Sequence, residues 1–335
     1  RGRSLMDAGF GFTFGDNFKN ERRTLGYQVQ LGYSNQTEFY SDVVYNRYGL
    51  NAAPTVTQMD RRIGQQGQLG INNVQWNGLA MLGRSTKRSS QSLIFMHVQA
   101  GESKTGLFNY KSSDQGATFA GFQHNLEYSQ RSLSTVQLIG KNELGSKELW
   151  ALDYVVAPTY STINDPDVRL TRYEDRGSLL SISTESGFPQ RIWREMDEIN
   201  STERINFKRK LKWFGREGEL KFGASHLFKT RNYQVRTFMI NVRNMDLTGN
   251  PDELFAEENL WPYNGNVMQG TTVEANFLPV NPNQFNSNVQ NFGGYASLYF
   301  QPAKRFKSTI GLRTEYFVQR YTGQDQLGVN VLSNT

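Results

Sequence analysis

The chain has 335 residues, with 37 Lys and Arg against 31 Asp and Glu (net charge +6), 13% aromatic residues and no cysteine. No stretch approaches the ~18 consecutive apolar residues of a membrane-crossing helix, and with a mean hydropathy of −0.61 only strands could carry the chain across a bilayer. Without cysteine it forms no disulfide and no thiolate site, and it suits an oxidising compartment where stray thiols would crosslink.

Near the start, Phe10, Phe12 and Phe14 alternate with Gly9, Gly11, Thr13 and Gly15. From Leu25 to Ser34, the residues Leu25, Tyr27, Val29, Leu31 and Tyr33 alternate with Gly26, Gln28, Gln30, Gly32 and Ser34, the period-2 mark of one greasy and one polar strand face. These two stretches are expected to pair as a hairpin. Trp76, Gly78, Ala80 and Leu82 then alternate with Gln75, Asn77, Leu79 and Met81, so both faces carry apolar groups, and Ser92 to Val98 within Gln91 to Tyr110 shares that ambiguity. The pattern returns with Leu126, Tyr128, Val136 and Leu138, and with Trp150, Leu152, Tyr154 and Val156, opposite Asn125, Glu127, Gln137, Ala151 and Asp153. Arg204 to Trp213 and Glu219 to Tyr233 read as a fourth hairpin. Phe292 to Gln301 and Lys307 to Tyr321 read as a fifth, where Ile310, Leu312, Tyr316 and Val318 oppose Gly311, Arg313, Glu315 and Gln319.

The connectors alternate as well. Short ones fall at Gly15 to Arg23, Arg84 to Ser90, Glu143 to Lys147, Phe214 to Gly218 and Pro302 to Phe306; long ones at Arg47 to Arg61, Lys111 to Gly121, Ile163 to Glu198 and Arg236 to Asn288, with another begun at Tyr321. Short turns at one end of every hairpin and long loops at the other mark an outer-membrane barrel, whose periplasmic turns are tight. The expected fold is all-β: an antiparallel, up-and-down transmembrane β-barrel, with about ten strands of a larger barrel in this chain, short periplasmic turns and long extracellular loops.

Parity assigns Gln28, Gln30, Gln137, Asp153, Lys208, Lys210, Lys212, Arg313 and Glu315 to the inner face. The basic run Arg204, Lys208, Arg209, Lys210, Lys212 and Arg216 interleaves with Ile205, Phe207, Leu211 and Trp213, so its lysines share one strand face. That row is read as lumen- or plug-facing or as an anionic-ligand row, with no nucleic acid as partner. Arg209 falls on the apolar parity and is expected to snorkel toward the periplasmic rim.

Catalytic and cofactor signals are weak. His97, His124 and His226 sit apart, without acidic or cysteine neighbours at metal spacing. Gly101 to Thr105 juxtaposes Lys104 and Thr105, but Ser103 and Val98 occupy the positions where a phosphate loop needs glycine, so the segment reads as a hairpin rim. Asp165 and Asp167, or Asp246, Asp252, Glu253, Glu257 and Glu258, are solvated loop charges or a Ca²⁺ site on an outer loop. The expectation is no enzyme, no cofactor and no metal.

Several stretches resemble TonB-dependent outer-membrane receptors of the Bacteroidota type: Leu25 to Tyr33 followed by Tyr45, Asn46, Arg47 and Tyr48; Tyr128 to Gly140; Asn164 to Arg169; Arg191 to Met196; Asn250 to Leu260; and Gly294 to Tyr316. They occur in the family's order and span nearly the whole chain. With no secretion signal before Arg1 and an end read as mid-loop at Ser333, Asn334 and Thr335, residues 1–335 are expected to be a middle portion of something longer; the resemblance implies that this is barrel, with the plug domain and the closing C-terminal strands absent from this chain. It implies a location in the outer membrane of a Gram-negative bacterium, where the partners are the lipid bilayer, the plug, the TonB complex and a surface lipoprotein lid. Trp193, Arg194, Trp261 and Tyr263 are the extracellular-loop ligand candidates, because exposed aromatics and arginines anchor ligands well. The rivals are an outer-membrane enzyme or adhesin acting through its loops, and a soluble all-β sandwich or propeller.

Overall fold

The computed structural model describes residues 6–334 apart from 52, 54, 114–117, 146–148, 178, 183–186, 214, 262–264, 266–267, 277–280, 282 and 326–327. Its ten long strands are β1 (Ala8–Lys19), β2 (Thr24–Gly49), β3 (Asp60–Ser85), β4 (Ser89–Ser112), β5 (Phe119–Leu144), β6 (Trp150–Asp175), β8 (Gln190–Trp213), β9 (Arg216–Arg243), β11 (Gln284–Ala303) and β12 (Phe306–Gln324). Three short strands join them: β7 (Leu180–Ser181), β10 (Gly270–Ala275) and β13 (Asn330–Asn334). All pairing between strands is antiparallel in one up-and-down sheet, β1-β2-β3-β4-β5-β6-β8-β9-β11-β12-β13, with β7 on β6 and β10 on β9, and an isolated parallel bridge joins Leu260 to Thr271. No pairing joins β1 to β13 among the described residues, so the wall is open, a part of a barrel.

The connector rhythm holds. Counted along the chain, two to five residues separate the strands at 20–23, 86–88, 145–149, 214–215 and 304–305, and five or more at 50–59, 113–118, 176–189, 244–283 and 325–329. At the turn end, Asn20 Oδ1 accepts from the Arg22 and Arg23 amides at 3.0 and 2.8 Å, and Thr86 Oγ1 accepts from Arg88 and Ser89, the local bonding that makes such residues turn formers. The loops are shorter than expected because the strands run on. Ile163 to Glu198 is largely β6 and β8, Arg47 and Arg61 lie inside β2 and β3, and Ser333 and Asn334 belong to β13, not to a loop. Gly101 to Thr105, expected at a rim, lies inside β4, where Lys104 pairs with Glu102 at 2.6 Å.

Register settles the faces. Phe14, Val29, Ala80, Phe95 and Val136 form one cross-strand row, and Leu152, Phe207, Phe222, Ala296 and Leu312 another, all on one face. In β2 the apolar run Leu25 to Tyr33 covers nine residues, about 25–30 Å of strand, which at a tilt of about 40° stands roughly 20–25 Å high. Aromatic rings edge this band: Phe18, Trp150, Trp213 and Phe300 at the turn end, Tyr33, Trp76 and Tyr160 at the other. Its side chains are bare in the chain alone; Leu82 is 61% and Leu312 73% exposed. Leu79, Met81, Ile94 and Met96, which blurred the reading of β3 and β4, lie together and half-buried on the opposite, otherwise polar face.

Among the described residues the packed core sits toward the loop end. Phe108, Tyr110, Val168, Tyr173, Ile240 and Leu254 are its buried large apolar residues, and all belong to that half. The turn-end half is a single layer, which a two-sheet sandwich is not.

Candidate functional site

Two polar assemblies are built on this wall. The first lies on the polar face, and register puts all nine inner-face candidates there. Gln28 and Gln137 share a row through Met81 and Ile94, and Gln30 lies one pair further along β2. Asp153, Asn206, Gly223, Tyr295 and Arg313 form a continuous row across five strands. Lys208, Lys210 and Lys212 face Lys221, Glu219 and Glu217 across β8 and β9. Glu219 bridges Lys208 at 2.5 Å and Lys221 at 2.9 Å, and Arg313 pairs with Glu315 at 2.6 Å. Tyr295 lies across the neighbouring strands and donates its hydroxyl proton to Asn206 Oδ1 at 2.9 Å. Gly223 permits this, since a Cβ there would sit 2.7 Å from the Tyr295 ring and 2.6 Å from the Ile205 carbonyl oxygen. The face therefore offers a basic-dominated set of donors to whatever lies against it.

The second assembly is a clamp at the loop end. β6 carries one residue more than its neighbours between Asp165 and Val168, so Pro166 and Asp167 together oppose Trp193; Asp167 takes φ +57°, a left-handed conformation that Asp tolerates. Its carboxylate accepts from Arg191 at 2.6 and 2.7 Å and from Arg169 at 2.8 and 2.9 Å. Both guanidiniums stack on Phe255, at 4.9 and 5.0 Å, and Arg169 also reaches Asp252 at 3.5 Å. Phe255 follows a 3-10 turn, Pro251–Leu254, whose Leu254 is fully buried and whose Glu253 accepts from the Tyr173 hydroxyl and from the Thr248 and Gly249 amides. Burial tends to raise the Asp167 pKa, but the hydrogen bonds and charges of Arg191 and Arg169 outweigh it and hold the group below its ordinary value. Burial pushes the Tyr173 phenol up, with Glu253 adding to it, and burial lowers His124 against a backbone contact with Gly249.

Of the loop ligand candidates, Trp193 and Arg194 sit on β8, not on a loop. Trp193 packs edge-on to Phe238 with Arg191 over its ring, and Arg194 pairs with Asp165 at 3.3 Å. Trp261 is on a loop, 44% exposed, and walls an open hollow of about 400 Å³ with Arg243, Thr272 and Glu274. Tyr263 lies outside the described residues. Of the acidic residues considered for Ca²⁺, Asp165, Asp167 and Asp252 are engaged by arginines and Glu253 by the Tyr173 hydroxyl and two backbone amides, and among the described residues no three acidic or histidine side chains converge.

One contact escaped the sequence reading: His226 Nδ1 lies 3.0 Å from Glu203, which also accepts from Ser201, with the imidazole stacked on Phe292 at 4.4 Å. Counting back from the tight turn at 214–215 pairs 203 with 226 and would have found it. The carboxylate stands between the serine and the imidazole, so His226 does not itself touch the Ser201 hydroxyl and the order differs from a serine–histidine pair. Arg209 lies on the apolar face at its turn end, its guanidinium 4.9 Å from the Trp150 ring centroid.

No protein-family model matches the chain, and no curated protein matches it. Among solved structures, BauA, the ferric preacinetobactin receptor of Acinetobacter baumannii, aligns with 98% of this chain at 9% identity and a TM-score of 0.20. The alignment covers 59% of that receptor.

Proposed function

We propose that this chain forms part of the wall of an outer-membrane receptor barrel that imports a nutrient by TonB-energised transport, the turn end facing the periplasm and the loop end the outside. The observation that carries the reading is the apolar band: a single sheet, bare on one face over a height of about 25 Å, edged by aromatic rings and continuous across ten strands, matches the hydrocarbon that an outer-membrane barrel meets. A soluble protein has no means of covering such a face with a one-layer wall. The polar face, with Glu219 between Lys208 and Lys221 and the row from Asp153 to Arg313, is the surface that holds the plug. The loop-end core and clamp stiffen the outer rim, where substrate is first met and a surface lipoprotein lid would dock. The reading assigns the chain no turnover of its own.

Fractionation of cells producing the protein tests the membrane placement. It should sediment with the outer membrane, require detergent for extraction and shift in gel mobility on boiling; a monomer that stays in aqueous buffer refutes the proposal. Uptake that survives deletion of TonB would remove the energised-transport part alone.

A further inference from the structure

On the face that carries the apolar band, but closer to the loop end, five strands line a cavity of about 360 Å³, within the range of small-ligand sites, about 300–1,000 Å³. Its floor is a cross-strand row, Asp197, Asn232, Asn286 and Thr322, roughly 14 Å long at a strand spacing of about 4.8 Å. Gln234 and Gln284 stand in the next row, their amides 3.4 Å apart. Asn232, Asn286 and Thr322 make no side-chain hydrogen bond among the described residues, and the buried side-chain carbonyl oxygen of Gln324 has no partner. Asp197 holds the Tyr160 hydroxyl at 2.7 Å and the neighbouring Glu195 holds Arg236 at 2.5 Å.

These groups define the ligand's chemistry. Amide side chains present a donor and an acceptor side by side, and a carboxylate only accepts; vicinal hydroxyls satisfy both. The two carboxylates disfavour a free anion, and an isolated cation would find no third acidic ligand. The position defines its source. Asn232 lies four residues beyond Phe228 on β9, about 13 Å along the strand, and below the trough the same face carries the exposed Ile199 and Phe292. Arg320, exposed and two residues from Thr322 on that face, stands between the amide-lined trough and the apolar rings, where a cation can meet an anionic group.

We propose that this trough seats the phosphorylated saccharide headgroup of an outer-leaflet glycolipid, its hydroxyls on Asp197, Asn232 and Asn286 and its acyl chains on the apolar face beneath. The inference rests on the membrane placement proposed above. The test is lipid retention by the detergent-purified protein reconstituted in phosphatidylcholine nanodiscs containing either lipid A, a phosphorylated disaccharide lipid, or phosphatidylglycerol, read by native mass spectrometry. Lipid A should be retained preferentially, and the double variant N232A/N286A should lower that preference about tenfold while leaving phosphatidylglycerol retention unchanged; R320A should lower retention of both anionic lipids. A heat-shifted gel band verifies that each variant is folded. Equal retention of lipid A by N232A/N286A overturns the proposal, as does displacement of the lipid by soluble glucosamine disaccharide at comparable concentration. A protein that never enters the nanodisc fails the membrane placement itself, a result distinct from insertion without preference for the sugar.

Discussion

Replacing Asp167 by Asn isolates the charge that joins β6, β8 and the 3-10 turn. The amide keeps the size of the side chain and tolerates φ +57° as Asp does, so backbone strain is unchanged. What is lost is a carboxylate accepting from two guanidiniums, Arg169 and Arg191. Hydrogen bonds to a charged group are worth about 1.5–3 kcal/mol each. With the three side chains 22–29% exposed, screening takes each toward the lower end, and the amide oxygen retains part of one bond. The expected loss is about 2–3 kcal/mol in the clamp, or roughly a 30- to 150-fold rise in its opening equilibrium. Hydrogen–deuterium exchange reads this at the Glu253, Phe255, Asn259 and Leu260 amides, which bond within the segment held by Phe255. Exchange there within about twofold of the parent would refute the reasoning and leave arginine stacking on Phe255 as the holding force. The same group sets a pH dependence. Because its folded pKa is lowered, its stabilisation is fully present above the ordinary value of 3.8 and is lost as pH falls through the folded value below it. Opening in the parent should stay flat from neutrality to about that point and rise beneath it, while the Asn variant shows no such rise.

Further outcomes follow from the two faces. Ile205→Arg puts a charge in the apolar band and should cost about 2–4 kcal/mol of barrel stability in lipid, seen as a lower fraction of heat-shifted band; Gln137→Arg, on the polar face, should cost little, and equal effects would refute the facing. If a plug lies against the polar face as proposed, replacing Lys208, Lys210 and Lys212 together by Ala should raise protease access to it without impairing barrel assembly, and unchanged access would remove that role. Gly223→Ala should displace the Tyr295 ring, break its bond to Asn206 and destabilise the wall by about 1–3 kcal/mol, measured as a lower unfolding midpoint in detergent. Leu254→Ala, at a fully buried site, should cost about 3 kcal/mol locally and speed exchange in the same segment as the Asp167 variant.

The wall was legible because in its turn-end half apolar side chains alternate with polar ones, and period 2 in Leu25 to Ser34 records that difference directly. The tight turns were legible for the same local reason, as Asn20 and Thr86 bond their own backbones. The loop-end half was not: its strands mix polar residues such as Gln65, Gln66, Gln123 and Arg172 with buried rings such as Phe108, Tyr110 and Tyr173, so the backbone ladder continues with no polar–apolar alternation to announce it. That is why Ile163 to Glu198 read as a loop, and why Trp193 and Arg194 were assigned to one. Glu253 accepting from the Tyr173 hydroxyl, and Phe255 beneath two arginines, join segments roughly 60 to 90 residues apart, a separation visible only in three dimensions.

The additional residue in β6 has a consequence for how the rim can vary. Leu126 pairs with Arg169 and Gln130 with Asn164, and Asp165 pairs with Arg194 and Val168 with Ile192; each mismatch is a single position. Excising Asp167 would therefore close the ladder into an even rung count while every other side chain kept its partner and its face. The supernumerary position contributes nothing to alignment, and its whole purpose resides in the carboxylate it presents. A homologue that has dropped it should retain the same wall and lose only the tether between rim and cap.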